Sequence, residues 1–420
     1  MAIFMSIILI IKKFARVVME QIIKSLLDTD AYKFSMGQAI FHQFSGDHAT
    51  WTFKCRNENV KFTKEMVREI RRQVGLYCNL RFTEDELKWL PATNIWIHNN
   101  YCDYLRFWHP RKNEIHIDTK APCGLNIEAK GTWGNTSPYE IPILAIVNEV
   151  YFRMAYDYDE LFEKFKVKVA DIIAKLKDGT YDVGAFSEFG ARRRLSFEAQ
   201  DYLIKSLVEA KIPSFVGTSN VYLAKKYGIK PVGTLAHEYV MTVGQGHHEY
   251  NPAYSNKFAM DTWVKEYGIL NGIALTDTIT TDCFLQDFQL TFATLFSGVR
   301  HDSGDPIAWG EKMIEHYKEL GIDPTTKTLL FSDSLNMEKA TRIYQHFKGK
   351  AKVAFGIGTY LSGSPVNPLN IVMKVTMVNG QPVAKISDDP SKSICKDSKY
   401  VDYLKRCINW RMTHLYYDVT

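Results

Sequence analysis

From residue 180 onward the chain repeats one unit: a short apolar run, a polar cluster, then a helical segment. The runs are Val183–Ser187, Ser214–Gly217, Pro231–Leu235, Gly272–Thr276, Ser297–His301, Thr328–Ser332 and Lys352–Phe355. Between them Phe197–Ala210, Asn220–Tyr227 and Leu335–Phe347 carry helical spacing. Strands that alternate with helices pair in parallel, because each helix is the crossover that returns the chain to the same end of the sheet. Seven such strands, with one more near Ile371–Val375, predict a (β/α) barrel. Barrel chemistry sits at the C-terminal strand ends, where this chain concentrates Arg, Asp, His and Gly.

The first part of the chain is mixed. Thr50–Arg56 alternates as a strand does, and Thr63–Gly75 is an amphipathic, basic helix. Thr83 and Glu86 have capping-box spacing, and Pro91 is expected to end that helix. Arg106–Asp118 reads as two strand-like pieces around a turn; Glu128–Trp133 and Ile141–Val150 lead into a helix over Asp159–Lys177. A length of 420 residues fits two or three domains.

Residues 1–11 are almost wholly apolar and precede Lys12, Lys13 and Arg16. That order is the reverse of a secretory signal, and the run is shorter than the ~20 residues a membrane span needs. A core-packing first helix or an upstream start, with Met19 as the alternative start, is expected. The seven cysteines form no C-x-x-C and read as reduced thiols of a cytoplasmic protein, with no disulfide framework and no zinc site. With 52 Lys+Arg against 47 Asp+Glu the net charge is only +5, too small to argue for nucleic acid but compatible with a local anion site.

Six strand ends carry the candidate chemistry. Glu188-Phe189-Gly190-Ala191-Arg192-Arg193-Arg194 offers guanidinium groups for an anion and a ring for stacking; which arginine faces a pocket is open. Gly217-Thr218-Ser219-Asn220 is an anion pocket or a plain N-cap. In Gly233-Thr234-Leu235-Ala236-His237-Glu238 the histidine could be a base, ligand or nucleophile, and Glu238 could orient it only if the fold allows. Met241 breaks the zinc-protease H-E-x-x-H pattern. Thr276-Asp277-Thr278 and Arg300-His301-Asp302-Ser303-Gly304-Asp305-Pro306 place acids where ribose hydroxyls or Mg²⁺ are held; Asp305 also suits a turn. Ser332 and Gly356-Ile357-Gly358-Thr359 suit a phosphate, although neither the dinucleotide fingerprint nor a P-loop is present.

Together with Leu26–Lys33 (LLDTDAYK) and Thr52–Asn57 (TFKCRN), these motifs in this order resemble the nicotinate phosphoribosyltransferase family, from about residue 22 to the C-terminal region. The resemblance implies an α/β fold: an irregular, type II phosphoribosyltransferase-like (β/α) barrel plus a second α+β domain built from both chain ends. Expected boundaries are an extension over 1–20, the α+β domain over 21–150, the barrel over 151–365, and a returning segment over 366–420. It implies an ATP-coupled reaction of ligase type in NAD salvage. Nicotinate and phosphoribosyl pyrophosphate give nicotinate mononucleotide and pyrophosphate, with ATP and Mg²⁺ and no tightly bound cofactor or metal. A homodimer with shared active sites is implied, without nucleic acid or membrane as partner. By position, Tyr32 (from the other subunit) and Phe189 would sandwich the pyridine ring. Arg192 and Arg300 would meet nicotinate and the sugar phosphate. Asp277 and Asp302 would hold the ribose, and Ser332, Gly358 and Thr359 the 5′-phosphate. Arg56, Lys374 and Lys385 would meet pyrophosphate or ATP, and His237 would be transiently phosphorylated.

Thr218 and Ser219 fall in the loop that would read the substrate's carboxylate. Amide-using relatives carry Asp where this chain has Ser219, so the acid is the expected substrate. A sugar-phosphate lyase or isomerase would need a strand-end Lys or metal triad, absent from the clusters above. A non-catalytic scaffold would have lost His237, Arg300 and Asp302, all of which are present.

Overall fold

The computed structural model describes residues 19–94, 96–247, 249–389, 395 and 397–414. The expectations for residues 1–18 lie outside the described residues. Two sheets organise the fold. Parallel strands β4 (Ala185–Glu188), β5 (Phe215–Thr218), β6 (Ile273–Leu275), β7 (Gly298–His301), β8 (Thr328–Phe331) and β9 (Lys352–Ile357) lie in the order β5-β4-β9-β8-β7-β6. This is the wall of the irregular barrel. The second sheet is antiparallel, in the order β11-β10-β1-β3-β2. It joins β1 (His48–Cys55), β2 (Ile115–Asp118) and β3 (Asn126–Thr132) to β10 (Ile371–Val378) and β11 (Gln381–Pro382). Strand β10 pairs directly with β1, Lys374 opposite Thr52, so both chain ends build this sheet.

Two expected barrel strands are corrected. Ile371–Val375 belongs to the antiparallel sheet, not to the barrel. Pro231–Leu235 is not a strand; it makes one isolated bridge, Thr218 to Pro231, with Val232 N–H donating to Thr218 O. Pro231 has no N–H to give a ladder. At Gly233 the N-terminal segment crosses so closely that a Cβ would lie 2.7 Å from Tyr32 N. That segment takes the place of strand pairing: Ala31 N–H donates to Ser219 O, and Asp30 bridges Asn220. In the N-terminal half, the first strand-like piece near Arg106 is instead the end of a helix, Asn99–Phe107.

The segment is tied down by buried charge. Arg194, fully buried, donates two hydrogen bonds to the Asp28 carboxylate, and Asn220 Nδ2 donates to the same group at 2.8 Å. Lys33 lies between Glu140 (2.8 Å) and Glu238 (2.6 Å), and Trp133 Nε1–H donates to Glu238 at 2.8 Å. Each buried ion therefore has partners, which burial demands. The C-terminal helix Ser398–His414 packs on the barrel side, where Arg411 donates to Asp287 and to Ala253 O.

Thr83 forms the expected capping box with Glu86, at 3.2 Å and 2.8 Å, and Glu86 also accepts from Ser25. The helix it starts runs one turn beyond expectation, through Pro91 to Thr93. Thr83→Ala is expected to cost about 1 kcal/mol of unfolding free energy, read as a lower midpoint in chemical denaturation at unchanged slope.

Candidate functional site

The C-terminal ends of the barrel strands converge on His237. It opens the helix His237–Gln245, directly after the irregular segment that replaces the missing strand. Its Nε2 lies 2.8 Å from Asp277 Oδ1, just beyond β6, and 3.6 Å from Asp302 Oδ2, just beyond β7. Asp277 is fully buried and accepts from Lys385 Nζ at 2.7 Å and from the Ser303 hydroxyl. Glu238 does not orient the imidazole; it is spent on Lys33 and Trp133. Burial and then the Lys385 cation push His237 down to about 4, against the pull of Asp277 and Asp302. Burial opposes the charge on Asp277, but His237 and Lys385 hold it well below the usual carboxylate range. Imidazole is thus neutral at pH 7. Facing a carboxylate, Nε2 must carry the proton, which leaves the lone pair on Nδ1.

Asp302 accepts from the Ser332 hydroxyl at 2.8 Å and lies 3.7 Å from Arg300 Nη2. Its side chain is 27 % exposed. Burial works against its charge, but Arg300 and His237 keep it ionised below the usual range. Arg300 is anchored by donating to Thr234 Oγ1 and Leu235 O, so the irregular segment also aims this guanidinium. Asp305 is an N-cap, accepting from Ala308 N–H at 2.8 Å.

The three consecutive arginines separate. Arg194 is structural, as described. Arg192 is 48 % exposed, 3.5 Å from Glu140, with Tyr32, Asp30 and Asp302 in electrostatic range. Arg193 is mostly buried, donates Nε–H to Ile371 O, and is pushed down to about 10 by burial and by its neighbours Arg192 and Arg56. Lys374, on β10, is pushed down to about 7 by burial, Lys385 and Arg56. Arg56, Arg193, Lys374 and Lys385 therefore form a crowded cationic cluster beside the histidine, with Lys374 on strand β10 and Arg56 just past the end of β1.

The Tyr32 hydroxyl donates to Glu140 of its own chain at 3.0 Å, beside Arg192. Phe189 packs its ring over Gly356, where a Cβ would sit 2.3 Å from the ring. Its backbone carbonyl abuts Gly358, and Thr359 follows at the end of β9. Thr218 is fully buried; its hydroxyl donates to Glu188 at 2.7 Å and accepts from Asn220 N–H, so it supports the loop. Gly217 is required before it, because φ is +153° and a Cβ would approach Lys230 O to 2.2 Å. Ser219 donates to Asp30 at 2.6 Å.

Sequence reasoning missed Asp30, Lys33, Glu140 and Ser303. Glu140 had a signal, as the lone acid opening the apolar helix Glu140–Ala155. Asp30 and Lys33 lay inside a quoted motif but their partners are 100 or more residues away.

Two family models match this chain. The nicotinate phosphoribosyltransferase N-terminal domain matches residues 27–148, and the nicotinate phosphoribosyltransferase family matches residues 185–411. The chain is 42 % identical over 392 residues to nicotinate phosphoribosyltransferase of Ralstonia pickettii, covering 92 % of this chain and 98 % of that one. Among solved structures it is similar to nicotinate phosphoribosyltransferase from Vibrio cholerae, with TM-score 0.86, 35 % identity, and 92 % and 94 % of the two chains covered. It is also similar to the Porphyromonas gingivalis enzyme of the same name, with TM-score 0.84, 34 % identity, and 92 % and 100 % covered.

Proposed function

Since the chain belongs to the nicotinate phosphoribosyltransferase family, we propose that it joins nicotinate to phosphoribosyl pyrophosphate in NAD salvage, with ATP hydrolysis coupled through a phosphorylated His237. The observation that carries this reading is the pairing of a neutral, carboxylate-oriented histidine with a crowded cationic cluster at the barrel mouth.

In the transfer step the pyridine nitrogen attacks C1 of the ribose while pyrophosphate departs. The leaving group needs positive charge already in place as the bond breaks. Arg56, Arg193, Lys374 and Lys385 supply it, repelling one another until a polyanion binds. Arg300 and Asp302 hold the sugar between this cluster and the ring site of Phe189, Tyr32 and Arg192. Ser332, Gly358 and Thr359 border the sugar-phosphate end.

Phosphorylation of His237 forms an Nδ1–P bond and breaks the bond between the γ-phosphorus and the bridging oxygen, releasing ADP. Asp277 holds Nε2–H and balances the positive charge that develops on the ring. Water later cleaves the phosphohistidine, so ATP influences transfer through a coupling free energy. The donor set suits Mg²⁺: Asp302 offers a partly exposed, ionised carboxylate, and substrate phosphates would complete the shell. When bound there, Mg²⁺ supplies charge neutralisation.

The test is joint product analysis. Mononucleotide is expected, together with ADP release that requires both nicotinate and phosphoribosyl pyrophosphate; purified protein that never makes the mononucleotide would end this reading. A second measurement probes the cationic cluster. Lys374, at about 7, is mostly neutral at pH 8, and an adjacent polyanion raises its proton affinity. Pyrophosphate binding at pH 8 is therefore expected to take up close to one proton per chain, falling toward none at pH 6. Calorimetry in buffers of different ionisation enthalpy reads this, and Lys374→Met should remove it.

A further inference from the structure

We propose that His42, His98 and Glu266 form a divalent transition-metal site of the kind that takes Zn²⁺. The three residues come from separate elements: His42 from the last turn of the helix Tyr32–Gln43, His98 from the N-cap of Asn99–Phe107, and Glu266 from the helix Ser255–Tyr267. One ligand atom from each lies within 4.8 Å of the other two. His42 Nδ1 is 2.7 Å from Glu266 Oε1, and the two imidazole centroids are 5.8 Å apart.

An ordinary histidine–glutamate pair would explain the first contact. It gives no reason for a second imidazole beside it, and the His98 ring has no hydrogen bond among the described residues. The surroundings are those of a supported ligand set. Gln38, fully buried, donates to Glu266 Oε1 at 2.9 Å and accepts the His98 backbone N–H at 2.7 Å, fixing two of the three ligands from one side chain. Gln43 donates to Glu266 Oε2 at 3.4 Å. Asn100 contacts His42 Nε2 at 2.9 Å; with its amide flipped it would accept Nε2–H and leave Nδ1 for the metal. Glu266 is only 6 % exposed, so its charge needs a counter-ion more than a surface glutamate does.

Two imidazoles and one carboxylate favour Zn²⁺ over Mg²⁺ or Ca²⁺, which prefer all-oxygen shells. Bonds of about 2.0–2.2 Å in a tetrahedron put ligand atoms about 3.3 Å apart, so the His42–Glu266 contact would open by roughly half an ångström. Water would take the fourth position. The helix that carries His42 in its last turn begins at Tyr32, ten residues or about 15 Å away along its axis, so the ion would pin the far end of an element that enters the active site.

Apo protein titrated with Co²⁺ as the probe is expected to bind one equivalent with the visible absorption of a tetrahedral N/O site, and Zn²⁺ should displace it. His98→Ala and His42→Ala should each lose that band and the rise in Tm that Zn²⁺ gives the wild type. Asn100→Ala should weaken binding about 10-fold. His237→Ala should bind as wild type, which separates this trio from the His237–Asp277–Asp302 cluster. No stoichiometric uptake, uptake unchanged by His98→Ala, or uptake lost in His237→Ala would each overturn the proposal.

Discussion

His237→Ala is expected to end all phosphate transfer from ATP to the protein and with it the whole ATP-driven gain in mononucleotide formation. Wild-type protein treated with ATP should carry an acid-labile phosphate on this residue by mass spectrometry; the variant should carry none. The gain lost is the size of a typical coupling between sites, about 5- to 150-fold, while slow ATP-independent transfer persists because no protein nucleophile is needed at the ribose carbon. The pH dependence has a definite sign. An imidazole at about 4 is unprotonated, and so nucleophilic, throughout pH 6 to 8. The phosphorylation rate should therefore stay flat across that range, and fall only as pH drops toward 4. An unperturbed histidine would instead lose half its nucleophilic form near pH 6.5. Phosphate found on the alanine variant at wild-type stoichiometry would place the phosphoryl acceptor elsewhere.

What the sequence disclosed and what it hid follow from the range of the interactions. Strands β4 to β9 were legible because each is a local apolar run bounded by turn chemistry. Pro231–Leu235 has the same local pattern, yet another part of the chain competes for its place: the segment around Asp30 to Tyr32, some 200 residues earlier in sequence, crosses at Gly233. Strand β10 was recognised as a strand but assigned to the wrong sheet, since its partner β1 lies more than 300 residues before it. The same distinction applies within the site. His237, Asp277, Asp302 and Arg300 were found one by one at strand ends, and the fold brings them together. The roles within Arg192-Arg193-Arg194 could not be read, because they depend on Glu140, Ile371 and Asp28, all distant in the chain.

Ser219→Asp is the second substitution with a large expected effect, and the structure changes the reason for it. The expectation from sequence was that this loop lacks a carboxylate. Asp30 already stands there, 2.6 Å from the Ser219 oxygen, with burial raising its proton affinity and Arg192 opposing that rise. The serine hydroxyl donates to that carboxylate; aspartate at 219 would replace a donor with a second acceptor and a second charge. Two carboxylates at this distance cannot both stay ionised without cost; they share a proton or turn one group toward Arg192, whose charge would then be less available to a substrate carboxylate. Like-charge juxtaposition costs several kcal/mol, so kcat/KM for nicotinate should fall by more than about 100-fold. Asp30→Asn combined with Ser219→Asp separates the two consequences. It restores one acid and one hydrogen-bond donor, so thermal stability should return to near wild type. Nicotinate use should stay low, because the remaining carboxylate now projects from the β5 loop. Full recovery of nicotinate turnover in the double variant would mean that the loss came from the clash with Asp30 alone, and unchanged turnover in Ser219→Asp would remove this loop from the recognition of the acid.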